Sequence, residues 1–207
     1  MRSGDRALEL IEALYAGVEG YRLSHSERKR LGNEDRSLVY GEINPPAFVE
    51  LLERTGVTPG DVFWDAGSGT GKPVLVAAAL FPFSRCRGVE VLAPLAAKAS
   101  SLLLRYRREV LPGLPEEKQR QEIRFDTGRF EDADLSSADV LFSHCTTFDA
   151  AGLERLARKA AGLKPGSRII TVGQLLDHAE LEHTFEAAVL MEWGESTCHV
   201  YRVRRGQ

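Results

Sequence analysis

Three glycines at alternate positions, in Asp65-Ala66-Gly67-Ser68-Gly69-Thr70-Gly71-Lys72, follow the apolar stretch Val62-Phe63-Trp64 and constrain this chain more than any other segment. An acidic residue ends a strand, and the glycines carry the backbone into a helix. Main-chain N–H groups can approach a ligand closely there, because no Cβ intervenes. A phosphate loop requires Gly, four residues, then Gly-Lys-Ser/Thr. Gly71-Lys72 is present, but Ala66 occupies the first glycine's place and Pro73 that of the magnesium-binding hydroxyl. A dinucleotide turn requires G-x-G-x-x-G, and Lys72 stands where its third glycine belongs. What remains is D-x-G-x-G-x-G.

The rest of the chain supplies the frame for that turn. Its 207 residues, 43% hydrophobic and 28% charged, suit one domain with an extension. A net charge of −3 gives no global drive toward nucleic acid or membrane. Cys86, Cys145 and Cys198 show neither metal-ligand spacing nor a paired framework, so no metal site is expected and a reducing cytoplasm is. The start lacks the apolar core of a signal peptide, and no apolar run approaches membrane-spanning length.

Apolar positions from Leu8 to Tyr21 recur at helical spacing and predict one or two helices over 5–31, ahead of the main fold. After the loop Tyr40-Gly41-Glu42-Ile43, Asn44-Pro45 starts a helix running to Arg54, which Gly56 ends. Strands then alternate with helices: strands at 62–64, 86–89, 123–126, 138–143 and 167–172, helices at 73–80, 93–109 and 150–161. Residues 185–192 and 197–203 flank Trp193-Gly194-Glu195-Ser196 and read as an antiparallel hairpin. The expected fold is therefore α/β and Rossmann-like: a mostly parallel seven-stranded sheet with a C-terminal antiparallel hairpin and an N-terminal helical extension. Residues 1–37 are expected as the extension and lid, 38–207 as the binding domain.

This combination of turn and terminal hairpin matches the S-adenosylmethionine loop of class I methyltransferases; a nucleotide loop or a structural turn is the alternative. In that reading Gly67, Gly69 and Gly71 let the backbone pass under the methionine and ribose, with Ser68 and Thr70 between them. Asp65 faces the ammonium group, or else caps the helix. Glu90, about 20 residues beyond the loop, accepts from the ribose diol. Phe130 stacks on adenine, or plugs the core, with Asp132 or a carbonyl accepting from the amino group. Ser143 and His144 end the fourth strand beside the transferring methyl group. His144 either orients or deprotonates an acceptor, or hydrogen-bonds backbone. Cys145 reads as a small buried residue rather than a nucleophile.

With Tyr40-Gly41-Glu42 upstream, the order of motifs resembles the disruptor-of-telomeric-silencing (Dot) family of non-SET histone lysine methyltransferases, in particular its small prokaryotic members. The correspondences are Tyr40–Glu42, Asp65–Gly71, Gly88–Glu90, Gly128–Phe130, Phe142–Phe148, Lys164–Ile169 and Trp193…Tyr201, spanning residues 38 to 203. The resemblance implies that Tyr40 and Glu42 close over the cofactor, S-adenosylmethionine, which leaves as S-adenosylhomocysteine. It also implies a protein lysine as acceptor, reached through an apolar channel of Phe148, Tyr40 and Tyr201. Two departures stand out: Arg129 replaces the family's adenine-site acid, and His144-Cys145 replace its paired asparagines. The mixed-charge segment from Arg22 to Arg36 reads as a solvated face. The expected reaction is an in-line displacement, with His144, Tyr40 and Tyr201 as the candidate catalytic residues. A small-molecule methyltransferase using His144 as base, or a cofactor-binding regulator without activity, are the other readings.

Overall fold

A computed structural model describes residues 3–32 and 38–204. The chain forms α1 (Ser3–Tyr15), α2 (Gly20–Arg30), α3 (Pro45–Arg54), β1 (Val62–Ala66), α4 (Lys72–Leu80), β2 (Arg85–Glu90), α5 (Ala93–Arg105), β3 (Glu122–Thr127), β4 (Val140–His144), α6 (Ala150–Ala161), β5 (Arg168–Val172), β6 (Leu181–Met191) and β7 (Gly194–Val203). The seven strands make one sheet in the order β3-β2-β1-β4-β5-β7-β6. The first five pair in parallel, whereas β7 runs antiparallel between β5 and β6. Chain order reverses between β1 and β4, so the loops leaving their carboxyl ends diverge and open a crevice.

Local chemistry explains most boundaries. The Asn44 side chain accepts from Ala47 N at 3.1 Å and caps α3, with proline in the first turn and Gly56 at φ 67° just past its end. Asp149 caps α6 in the same way, accepting from Gly152 N at 2.7 Å. The helix expected over 93–109 is α-helical only to Arg105; Tyr106–Val110 continues it as one π-helical turn. In the hairpin Glu192-Trp193 alone form the turn, and β6 begins four residues earlier than the apolar pattern indicates. An edge strand needs no apolar alternation on its solvent side, and Glu182, His183 and Thr184 are exposed.

Two apolar layers flank the sheet. One gathers Ala7, Ile11 and Leu14 of α1, Phe48, Leu51 and Leu52 of α3 and the length of α4 against Phe63, Phe142 and Ile170. The other packs Leu156, Ala157 and Ala160 of α6 on Trp64, Leu141, Ile169 and Tyr201. The sequence-expected boundary at residue 37 lies outside the described residues, as does the Arg36 end of the mixed-charge segment. No described helix is long and apolar enough to cross a membrane.

Candidate active site

At the crevice between the carboxyl ends of β1 and β4, three segments converge. The β1–α4 turn forms the floor: Gly67, Gly69 and Gly71 have φ of 92°, 54° and 83°, values that residues with a Cβ rarely adopt. A Cβ on Gly69 would stand 2.3 Å from the Tyr40 ring, so the loop can lie that close only as glycine. From the ends of β2 and β3 come Glu90, Val91, Leu92, Gly128, Arg129 and Phe130; from β4 and α6 come His144, Phe148 and Arg155. Together with Leu38–Gly41 they line an open cleft of about 750 Å³, counting the solvent space at its mouth. A second chamber of about 280 Å³ opens from Gly67 toward Asp65, Lys72 and Glu42.

Among the described residues, Asp65 alone has both polar side-chain atoms buried without a partner. It is 1% exposed, lies within β1 rather than at a helix cap, and neither carboxylate oxygen has a hydrogen-bond partner. Burial, with the nearby charge of Glu90, pushes its pKa well above the carboxylate range. The helix-cap alternative falls, because Gly71 holds the cap position of α4. Glu90 is also buried, but its oxygens accept from Gly69 N at 2.8 Å and Leu92 N at 2.7 Å, so it braces the glycine turn while lining the cleft. Burial raises its pKa against those hydrogen bonds.

The Tyr40-Gly41-Glu42 segment lies across the turn. The Tyr40 hydroxyl donates to Glu42 Oε1 at 2.6 Å and shares a 2.8 Å hydrogen bond with Thr70 Oγ1. Its ring packs between Gly69 and Gly20, and Tyr21 of α2 meets it edge-on at 5.3 Å. Ser24 of α2 donates to Leu38 O at 3.1 Å, and Tyr15 of α1 donates to Thr70 O at 3.0 Å. Lys72 closes the arrangement by pairing with Glu42 and, at 2.6 Å, with Glu192 of the hairpin turn. Burial pulls the Lys72 pKa down, but the bonds to Glu192 and Glu42 outweigh it and hold the ammonium charged.

At the mouth, His144 packs against Gly41 and lies edge-on to Trp193 at 4.9 Å. Its Nε2 is buried without a partner, and Nδ1 lies a long 3.5 Å from Thr146 Oγ1. Burial pushes its pKa down to about 4, so the imidazole is neutral at physiological pH. On the opposite wall Phe130 stacks on Phe148 at 5.9 Å and 12°, leaving a flat apolar surface partly open to the cleft.

The structure thus brings together Tyr40, Glu42, Asp65, Gly67, Ser68, Gly69, Thr70, Gly71, Glu90, Arg129, Phe130 and His144. Three expected residues sit apart from the cleft's reactive face. Ser143 donates to Ala66 O at 2.9 Å and straps β4 to β1. Tyr201 is buried in the second apolar layer, its hydroxyl accepting from Leu176 N at 2.8 Å, so of the expected channel only Phe148 and Tyr40 line the cleft. Asp132 does not line the cleft. Cys145 is buried, and burial holds its thiol up at about 12, in keeping with a packing role. Sequence reasoning missed Lys72, Glu131 and Arg155. Arg129 and Arg155 meet at Glu131 Oε1, at 3.1 and 2.9 Å, on the cleft's rim. Only Lys72 left a signal, as the one charged residue of the otherwise apolar segment Lys72–Leu80.

These residues fit S-adenosylmethionine: an unpaired buried carboxylate for an ammonium, a backbone cradle only glycine allows, and a flat apolar wall for a base. Comparison with known proteins agrees. Residues 29–192 match the family model for the histone methylation protein DOT1. A "Histone-lysine N-methyltransferase, H3 lysine-79 specific" of Eremothecium gossypii is 30% identical over 143 residues, covering 67% of this chain and 25% of that protein. Its Caenorhabditis elegans counterpart is 29% identical over 143 residues, covering 67% and 15%. The chain thus spans only a minor part of these relatives. Among solved structures, an RNA methyltransferase from Salinibacter ruber in complex with S-adenosyl-L-homocysteine aligns with TM-score 0.57 at 21% identity, over 78% of this chain and 93% of that one. TrmN from Thermus thermophilus aligns with TM-score 0.62 at 17% identity, over 86% and 53%. These likenesses establish the Rossmann-like methyltransferase fold.

Proposed function

The chain belongs to the DOT1 histone methylation family, and from that premise we propose that it is an S-adenosylmethionine-dependent methyltransferase acting on a protein lysine side chain. The observation that carries the reading is the buried, unpartnered Asp65 carboxylate beneath a glycine turn, which a cationic ligand would satisfy. When bound, S-adenosylmethionine supplies a methyl group on a sulfonium, already activated toward a nucleophile.

The chain's own work is binding, alignment and exclusion of water. Asp65 would hold the ammonium and Glu90 the ribose diol, while Phe130, backed by Phe148, would offer its flat face to the adenine. Tyr40 and Glu42, tied down by Thr70 and Lys72, act as the lid that α1 and α2 support. At the mouth His144, Trp193 and Phe148 surround the acceptor. A neutral imidazole and two aromatic rings offer no countercharge to a lysine ammonium, so the amine reacts after giving its proton to solvent, its lone pair free. With its pKa near 4, His144 is a poor general base at neutral pH. Its unpartnered Nε2 instead orients the acceptor. This weighs against the small-molecule reading in which His144 deprotonates. The three buried free cysteines suit the reducing cytoplasm in which we place the protein.

Incubation of the purified chain with methyl-labelled cofactor and a cell lysate tests the proposal. Label in protein bands, recovered as methyl-lysine after hydrolysis, is the expected result. Label confined to small solutes would support the small-molecule enzyme, and binding without turnover a regulator; either outcome contradicts the lysine assignment.

A further inference from the structure

The outer hairpin carries a cluster that methyl transfer does not use. His183 and Glu186 are three residues apart on β6, and in a regular strand such residues face opposite sides of the sheet. Here the register shifts between His183 and Phe185. His183 pairs with Tyr201, Phe185 with Val200 and Glu186 with His199, which leaves Thr184 as the extra residue of a bulge. Thr184 Oγ1 donates to Val200 O at 2.9 Å and fixes that bulge in place. The consequence is that His183, Glu186 and His199 share one face.

Their geometry is that of a ligand set. One side-chain donor atom from each residue lies within 4.8 Å of the other two. His199 is 6% exposed, and its Nδ1 is buried without a hydrogen-bond partner, 3.6 Å from a Glu186 carboxylate oxygen. The His183 ring stands edge-on to Tyr201 at 5.1 Å, which limits where its nitrogens can point. A fixed, unsatisfied imidazole nitrogen is thus faced by two exposed side chains, Glu186 largely in solvent and His183 held on one side by Tyr201.

We propose that His183, Glu186 and His199 form a binding site for one borderline divalent cation, with Zn²⁺ as the preferred occupant. Two imidazoles and a carboxylate are the N/O donor set that favours zinc and its neighbours over Mg²⁺ or Ca²⁺, which prefer oxygen alone. Metal–ligand bonds of about 2.0–2.2 Å require donors roughly 3.5 Å apart. The cluster therefore needs a contraction of about 1 Å, reachable by rotating the exposed His183 and Glu186. Three protein ligands leave one position for water, as expected on a solvent-facing hairpin. The bound cation would cross-link edge strand β6 to β7. The cysteines gave no sign of this site in the sequence, since its ligands meet only through the bulge. The site stands or falls apart from the methyl-transfer reading.

The test is titration of the untagged, chelator-treated full chain with Zn²⁺ by calorimetry, with Co²⁺ as a spectroscopic probe. We expect one equivalent of Zn²⁺ per chain, visible Co²⁺ bands without thiolate charge transfer, and no heat from Mg²⁺. The double variant His183→Ala/Glu186→Gln alters only exposed side chains and should weaken Zn²⁺ at least tenfold while keeping the chelator-treated melting temperature. Absence of a Zn²⁺ equivalent, cysteine charge-transfer bands, Mg²⁺ binding as tight as Zn²⁺, or unchanged affinity in the double variant would each overturn the proposal. The Co²⁺ spectrum of the unaltered chain decides the matter even where a variant fails to fold.

Discussion

The floor of the cleft and its mouth are built on different principles. The floor is backbone and buried charge: three glycines at positive φ, Glu90 bracing Gly69 N, and Asp65 left without a partner. The mouth is made of side chains from distant segments: Tyr40 on the lid, His144 at the end of β4, Phe148 before α6 and, beside His144, Trp193 on the hairpin turn. A floor of this kind tolerates little variation, because each glycine is required by a conformation or a close approach. A mouth assembled from side chains can change its acceptor by substitution without disturbing the floor. Of the departures from the resemblance, His144 falls at the mouth, Cys145 is buried behind it and Arg129 stands on the cleft's rim.

Breaking the link between the two should have the largest effect. Lys72 ties the end of the glycine turn to both lid and hairpin, and Lys72→Met leaves Glu42 buried without its cation. We expect a loss of roughly 3 kcal/mol, near the low end for breaking a buried pair, measured by urea unfolding. Asp65→Asn should act in opposite directions on stability and binding. An acid whose folded pKa is raised keeps a proton that the unfolded chain releases, so the ligand-free protein loses stability as pH rises from the ordinary value of 3.8 toward the raised one. Asparagine removes that penalty, so the ligand-free variant should gain about 1 kcal/mol while losing cofactor affinity.

Smaller effects sharpen the boundary between floor and mouth. Tyr40→Phe removes two hydroxyl hydrogen bonds and should weaken cofactor binding by about tenfold, or about 1.4 kcal/mol, read by calorimetry. Unchanged affinity would remove Tyr40 from the lid. His144→Asn belongs to the mouth alone and should leave cofactor affinity within about twofold while altering turnover. Because the His144 pKa lies near 4, the kcat/KM profile between pH 5 and 8 should carry no limb from it. The depressed pKa has a second consequence. The unfolded chain binds a proton that the folded one refuses between about pH 6.5 and 4, so stability falls as pH falls through that window. Thermal melts should show a shallower fall in His144→Asn.

Legibility in the sequence follows the same division. Asn44-Pro45 and the alternate glycines act through local backbone rules, and each was readable at its position; that Glu90 also braces Gly69 N, 21 residues away, was not. Tyr201 was not, because its hydroxyl is taken by Leu176 N, an acceptor relationship set by how the loop after β5 folds back. Ser143 is drawn away by Ala66 O across the β1–β4 pair. The Trp193–His144 contact depends on β7 inserting between β5 and β6, which brings the hairpin turn to the carboxyl end of β4. Pairings across the sheet decide the mouth, and no local pattern encodes them.

In the proposed function Asp65 holds the ammonium of S-adenosylmethionine. Its most direct test is calorimetry of the ligand-free chain with S-adenosylhomocysteine and with 5′-methylthioadenosine, which lacks the amino-acid end. The account predicts that the first binds at least about 30-fold tighter, from about 2 kcal/mol or more for a buried charge pair, and that Asp65→Asn abolishes the difference. Equal binding of the two ligands, or a difference that survives in Asp65→Asn, would contradict it.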